Sequence, residues 1–277
     1  MSSRDKILSL LEQNKTEYLS GESMANSLGL SRNAVWKAIN ELRKQGYKIE
    51  AVSNKGYRLG TDNDIISKEG ILSFLDKDLQ LDTADKIHIY DTLDSTNRTA
   101  KEMAISGSSH GTLVISKNQA FGKGRKDHSF YSPDGGIYMS IILFPELLPS
   151  LKPDIITAYT GVSVCRSIEK LCHMLPSIKP INDLFLDGKK ICGILTESGT
   201  EFDSGMVQWI VVGIGINFDP DILSFPQELL PIVGSLYKSG EAEISKNQLV
   251  AEIYSRLIDW KGVDTKEILE EYSKLQI

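Results

Sequence analysis

Cysteine is scarce. The 277 residues hold three, Cys165, Cys172 and Cys192, an odd number without metal-ligand or disulfide-framework spacing. They read as buried or incidental thiols in a reducing compartment. The four histidines, His88, His110, His128 and His173, make no ligand pattern, and no nucleophilic triad or metal cage stands out. The longest apolar stretches, residues 137–144 and 209–216, are far shorter than the ~20 residues that span a bilayer. Residues 1–6 are polar, with no signal-peptide core behind them. Low-complexity tracts and internal repeats are missing too. These absences argue against membrane, disulfide-rich secreted, metal-centred and repeat classes, and make the cytoplasm the expected location. What remains is an ordinary globular composition, 41% hydrophobic and 25% charged. The chain is long enough for one large domain and a small one.

The net charge of −6 hides an asymmetry. Residues 1–60 carry 10 Lys or Arg against 6 Asp or Glu, and the remainder carries a net −10. A basic front on an acidic body points to two parts with different partners. Apolar Ile7, Leu8, Leu10 and Leu11 predict a helix over residues 4–13. A second helix opens at Ser20, runs through Met24, Ala25 and Leu28, and breaks at Gly29. Ser31 caps a third, in which Val35, Ile39 and Leu42 face the core. Arg32, Asn33, Trp36, Lys37 and Asn40 fall on the other face, and Gly46 ends the helix. Residues 47–52 and 56–59 read as two strands around a turn. Helix, helix, turn, helix, hairpin is a winged helix-turn-helix, whose third helix would enter the major groove. Lys55 and Arg58 on the wing are placed to hold the DNA backbone. A three-helix protein-interaction module is the competing reading, and Trp36 fits either a core cover or a DNA contact.

Asp62, Asn63 and Asp64 read as a linker. Beyond them, residues 61–81 hold a helix around 71–75. Strands are expected at 87–90, 112–116, 137–144, 184–186, 191–197 and 209–217, the last very apolar and central. Helices are expected after Ser95, along Ala158, Val162, Cys165 and Leu171, and at 249–257. This pattern is α+β with a mixed sheet. The segment Gly122, Lys123, Gly124, Arg125, Lys126 combines glycines with positive charge, which suits a phosphate or carboxylate. Composition alone leaves a solvated loop equally open. The segment lacks the P-loop ending, and Gly213-Ile214-Gly215 lacks the third glycine of a dinucleotide turn. Lys190, just before a strand, can point along the sheet into a site, although a solvated hairpin lysine is the commoner case.

In this order the segments resemble the biotin protein ligase family in its bifunctional repressor form. The resemblance rests on residues 31–39 and 55–57 of the winged helix and on Asp94-Ser95-Thr96-Asn97. It rests also on Gly122-Lys123-Gly124-Arg125 with its tail Ser129 to Pro133, on Lys179 with Asn182-Asp183, on residues 190–197, and on Gly213 to Asn217. It implies residues 1–61 as the DNA-binding domain, 62–84 as linker and first helix, and 85–277 as a catalytic domain similar to class II aminoacyl-tRNA synthetases. The implied reaction joins biotin to ATP as biotinyl-5′-adenylate, then passes the acyl group to a lysine of a biotin carboxyl carrier protein. By resemblance Ser95, Thr96, Asn97, Gln119, Gly122, Lys123, Gly124 and Gly193 line the biotin pocket. Arg125 holds the carboxylate or α-phosphate, and Lys190 is the main electrostatic catalyst. Phe130 would stack on adenine, with Asn182, Asp183, Gly215 and Asn217 around the nucleotide. Mg²⁺ would accompany ATP, and Asp183 would assist the metal or orient the basic groups. Gly193 and Gly215 would let backbone approach the ligand. The adenylate would be the corepressor, favouring a homodimer on a two-part operator.

Three departures stand against the family pattern. Asp127-His128 replaces a Gly-Arg, Pro180 replaces a tryptophan, and an SH3-like C-terminal domain is expected to be absent. They keep open a biotin-sensing repressor with weak or no ligase activity; a lipoate ligase is the more distant alternative.

Overall fold

The computed structural model describes residues 2–14, 17–60, 64–125, 128–148, 150–201, 203–260 and 263–277. The expected Lys126 and Asp127 and most of the expected linker, Asp62 and Asn63, lie outside these residues.

The chain opens with α1 (Ser3–Gln13), α2 (Gly21–Leu28) and α3 (Arg32–Lys44), followed by β1 (Ile49–Val52) and β2 (Gly56–Leu59), an antiparallel pair. Each helix starts on a serine whose hydroxyl accepts an amide of the first turn: Ser2 from Asp5, Ser20 from Ser23, Ser31 from Ala34. Asp5 returns the bond to Ser2, closing a capping box. Val35, Ala38, Ile39 and Leu42 bury one stripe of α3 against Ile7, Leu8, Leu11 and Met24, a core separate from that of the body. Gly56 is required by geometry. Its φ is +112°, and a Cβ would stand 2.1 Å from the Leu19 carbonyl oxygen, because Leu19 and Tyr57 exchange backbone hydrogen bonds.

Two helices come next, α4 (Lys68–Ser73) and α5 (Lys77–Thr83), where the sequence predicts one. Asp76 separates them by accepting the Leu79 amide and starting a new helix. The body is one sheet of seven strands in the order β3-β4-β5-β9-β8-β7-β6. The strands are β3 (Ile87–Leu93), β4 (Leu113–Gln119), β5 (Ile137–Leu143), β6 (Ser177–Lys179), β7 (Asp183–Leu186), β8 (Lys189–Thr200) and β9 (Val207–Ile216). Only the β3–β4 pair is parallel, which makes the sheet mixed as expected. The apolar strand β9 lies between β5 and β8, inside the sheet.

Side chains alternate along these strands. Ile137, Met139 and Ile141 of β5, with Ile210, Val212 and Ile214 of β9, face the large core under α7 (Pro153–Cys172), α8 (Lys246–Ile258) and α9 (Thr265–Leu275). The opposite face meets α6 (Thr96–Ile105) through Ala100, Ala104, Val114, Ile142 and Val211. On that face glycine and polar positions replace the apolar ones nearer the strand ends, and the candidate site opens there. The sequence suggests an amphipathic α7, but twelve of its twenty residues are buried because the helix is covered by the sheet, α8 and α9. Strand β6 and helix α9 are additions to the elements the sequence predicts. No described helix is long and apolar enough to cross a membrane.

The two cores meet at a polar clasp. Asn247, fully buried at the start of α8, accepts the Ser67 amide and donates to the Ile65 carbonyl and to Glu12 of α1. Lys246 places its ammonium 2.8 Å from Asp219 and 3.3 Å from Asp64. Asp64, expected in a linker, is therefore held fast.

Candidate active site and DNA-reading face

All the expected biotin and nucleotide residues except Gly122 and Asn217 line one cavity on the α6 face of the sheet. The period-two register explains the gathering. Gly193 and Gly215 are Cα partners on adjacent strands, and Tyr138 of β5 pairs with Gly215, so three strands contribute to one patch. The N-terminus of α6 brings Ser95, Thr96 and Asn97 above it, each under 5% exposed.

Three groups of side chains divide the cavity. At the α6 end, Gln119 accepts the Thr96 amide at 2.8 Å and donates to Ser132 at 2.9 Å. Asn97 donates to the Leu195 carbonyl and to Glu197, and accepts from Ser140. At the opposite end, Lys190 Nζ lies 2.8 Å from Asp183 Oδ1 and 5.8 Å from the centre of the Phe130 ring. The Lys190 backbone is pinned on both sides, its amide donating to Ile232 and its carbonyl accepting from Gly234. Lys189 turns away and donates to the carbonyls of Leu230 and Pro231. The two neighbouring lysines are thus separated, and Lys190 alone of the pair lines the cavity. Between the ends lies the basic segment. Its described residues pair with 128–130 as the two arms of a hairpin: Lys123 bridges to Ser129, Phe130 donates to the Gly122 carbonyl and Gly124 donates to the His128 carbonyl. Lys123, Arg125 and His128 of this segment line the cavity.

The glycines have other neighbours than expected. A Cβ at Gly193 would meet the Phe130 ring at 2.9 Å and one at Gly215 would meet it at 2.5 Å. One at Gly213 would stand 2.0 Å from the Asn97 oxygen. At Gly122 it would meet the Phe130 carbonyl at 2.3 Å. These positions leave room for the protein's own side chains and backbone, and the Gly124 amide is already bonded within the hairpin. Asn217 stands just behind the cavity, where it donates to the carbonyls of Gly234 and, more weakly, Lys190. It braces the lysine's strand. Asn182 does likewise, bonding Ile194 through both its side chain and its backbone. Sequence reasoning missed Ser140, Lys101 and the role of Glu197, which stand behind the cavity wall.

Asp183 is the one carboxylate among the described residues lining the cavity, and no cluster of three or more metal-ligating side chains occurs among the described residues. A single carboxylate suits a Mg²⁺ ion that arrives on a triphosphate and takes most of its ligands from phosphate and water.

On the N-terminal unit, Arg32, Asn33, Trp36 and Lys37 are exposed along α3. Trp36 is 55% exposed, so it does not cover the core. Asn40 is half-buried and Lys55 is exposed. Arg58 is less available. It stacks on Tyr18, 4.5 Å from the ring centre, and bonds Glu50 at 2.8 Å. Arg32 reaches Glu22 at 2.6 Å, with both side chains open to solvent.

Known proteins share both halves. A helix-turn-helix family profile matches residues 3–58, and the biotin/lipoate A/B protein ligase family profile matches residues 89–217. The Bacillus subtilis bifunctional ligase/repressor BirA is 38% identical over 254 residues, covering 90% of this chain and 75% of that protein. The chain belongs to the biotin/lipoate A/B protein ligase family, in its bifunctional ligase/repressor form. The Escherichia coli family member of the same name is 30% identical over 214 residues, covering 76% of this chain and 62% of the other. The family fold is also seen in two solved structures. The Aquifex aeolicus biotin protein ligase in complex with biotin and ATP has a TM-score of 0.59 at 23% identity, over 69% of this chain and 78% of that one. The Leishmania major enzyme with biotinyl-5-AMP has a TM-score of 0.59 at 20% identity, over 69% and 81%.

Proposed function

We propose that this chain activates biotin with ATP and transfers it to a lysine of a carrier protein in the cytoplasm, and that the same activated biotin governs its binding to operator DNA as a homodimer. The observation that carries the reading is that one cavity runs from a neutral hydrogen-bonding end, past a basic segment, to Lys190 at the other end. Ser95, Thr96 and Gln119 offer polar groups without net charge, which suits the head of biotin. Lys123, Arg125 and Lys190 offer three cations, which suits a carboxylate meeting a triphosphate. The carboxylate oxygen attacks the α-phosphorus and pyrophosphate leaves. The carrier's amine then attacks the acyl carbon and AMP leaves. Lys190 would exchange Asp183 for the developing negative charge, and Asp183 would approach the Mg²⁺ that enters with ATP. Arg125 would hold the adenylate until the acceptor arrives. The Phe130 ring would border the adenine.

The test mixes the purified chain with biotin, Mg-ATP and an apo carrier domain, then probes the carrier with labelled streptavidin. Labelling that requires ATP supports the ligase. Tight biotin binding without labelling favours a biotin-sensing repressor, and absence of both refutes the reading.

A further inference from the structure

The α6 end of the cavity rests on polar groups that do not themselves reach the ligand space. Glu197, on β8, lies behind Asn97. Its carboxylate accepts Asn97 Nδ2 at 2.9 Å and Lys101 Nζ at 2.8 Å. Burial pushes the Glu197 carboxyl up, but hydrogen bonds from Lys101 and Asn97 outweigh burial and hold it below its ordinary value, so it is ionised. An ionised carboxylate only accepts. Asn97 must therefore turn its NH₂ toward Glu197 and the Leu195 carbonyl, and its oxygen toward Ser140.

The order propagates. Ser140, fully buried, has its hydroxyl oxygen 2.6 Å from Asn97 Oδ1 and 2.8 Å from Thr96 Oγ1. Its single proton goes to the Asn97 oxygen, which has none to give. The Thr96 proton is then held by the protein, either by Ser140 in this second contact or by Gln119 Oε1 at 3.2 Å, an acceptor as well. That leaves the Thr96 hydroxyl with lone pairs only for whatever enters the cavity. Asn97 cannot escape toward β9, because its oxygen already fills the space a Cβ would take at Gly213.

We propose that Glu197, seated by Lys101, is a positioning residue that fixes the donor–acceptor polarity of this end of the cavity. Thr96 then presents an acceptor and selects a ligand with N–H donors, such as the cyclic urea of biotin, over one without them, such as the dithiolane of lipoate. The proposal rests on the reading of this cavity as a biotin site. It uses selectivity by unmet hydrogen bonds, which discriminates more sharply than an apolar fit.

The experiment measures biotin and lipoate dissociation constants by calorimetry, and the KM for ATP, on the full chain and three variants. Glu197→Ala removes the acceptor. Asn97→Asp sets two carboxylates face to face. The double variant Asn97→Asp/Glu197→Gln exchanges donor and acceptor between the two positions, which repairs their contact and keeps an acceptor at Ser140, with the Leu195 carbonyl alone losing its donor. Each single variant is expected to lose about tenfold or more in biotin affinity, the loss expected for a mismatched buried hydrogen bond, with lipoate binding and the KM for ATP little changed. The double variant should recover most of that loss, a non-additivity that general destabilisation would not produce. Wild-type biotin affinity in Glu197→Ala overturns the proposal. So does a double variant no better than Asn97→Asp, or a KM for ATP that rises in step with the biotin constant. A wild-type chain that does not bind biotin overturns the biotin reading and this proposal together.

Discussion

Replacing Lys190 by methionine removes the ammonium while keeping most of the stem that lies beside Phe130. The outcome turns on two energies, one of the resting ion pair and one of the reacting charge. In the resting structure Lys190 and Asp183 are 2.8 Å apart, with side chains 30% and 27% exposed. A pair with this much solvent access contributes about 1 kcal/mol or less, so exchanging Asp183 for substrate costs little. Losing that energy corresponds to a fall of roughly 2–4 °C in Tm for a chain of this size. The catalytic loss should be larger, because a fixed cation facing developing charge acts in a site from which water is partly excluded. Removing one such group costs roughly 100- to 1000-fold in rate, about 2.7–4 kcal/mol. The assay is pyrophosphate release with biotin and Mg-ATP, alongside a thermal melt. The expected result is a rate collapse with a nearly unchanged melt. A variant that keeps a rate within about threefold of wild type refutes the electrostatic role of Lys190, since the loss of a fixed cation exceeds that by a decade or more.

Other expectations come from the geometry. Gly56→Ala should destabilise the N-terminal unit by roughly 2–4 kcal/mol, through a strained φ and a clash with Leu19, and urea melts followed by proteolysis should show that unit opening first. Lys37→Ala should weaken DNA binding on every sequence and lower the slope of affinity against salt by about 1, whereas Arg58→Ala, already held by Glu50, should change it less. His110 is held below its ordinary pKa by burial, and its Nδ1 accepts the Phe144 amide, so the neutral form is the folded one. Its folded pKa lies below its unfolded one, so its contribution is present above about pH 6.5 and is lost as pH falls through the lower folded value. Tm measured from pH 7 to pH 5 should fall less steeply in His110→Gln than in wild type.

Much of the architecture was legible because local signals agreed with burial. Ser31 as a cap, Val35, Ile39 and Leu42 as a stripe, and the unbroken apolar run of β9 each point one way, and the structure agrees. Helix α5 was hidden because Asp76, a helix starter, stands in what looks like one continuous segment. Helix α9 is amphipathic, with Ile268, Tyr272 and Leu275 inward, but what it packs on, α7, is far away in sequence. In the candidate site the glycines were visible and their neighbours were not. A sequence shows that Gly213 and Gly215 exclude a side chain; that Asn97 and Phe130 occupy those spaces is a matter of strand register. The partners of Arg58, expected on the wing as a DNA-backbone contact, were hidden for the same reason, since Tyr18 and Glu50 reach it only in the folded unit.

The clasp around Asn247 and Lys246 bears on how such two-part proteins can be recombined. A graft that joins a foreign DNA-reading unit at the charged segment near residue 62 keeps Asp64 and Ser67 with the body but discards Glu12 and Gln13, whose side chains meet Asn247 and the Ser73 carbonyl. The incoming unit would need to supply an acceptor for a buried carboxamide and a donor for that carbonyl, at the right height on its first helix. Interchangeability is therefore set by two residues on α1 as much as by the length of the connecting segment. Asp219, two residues beyond the Asn217 that braces Lys190, ties the other side of the clasp to the strand bearing the candidate site. A replacement that fits loosely would be felt there as well as on DNA.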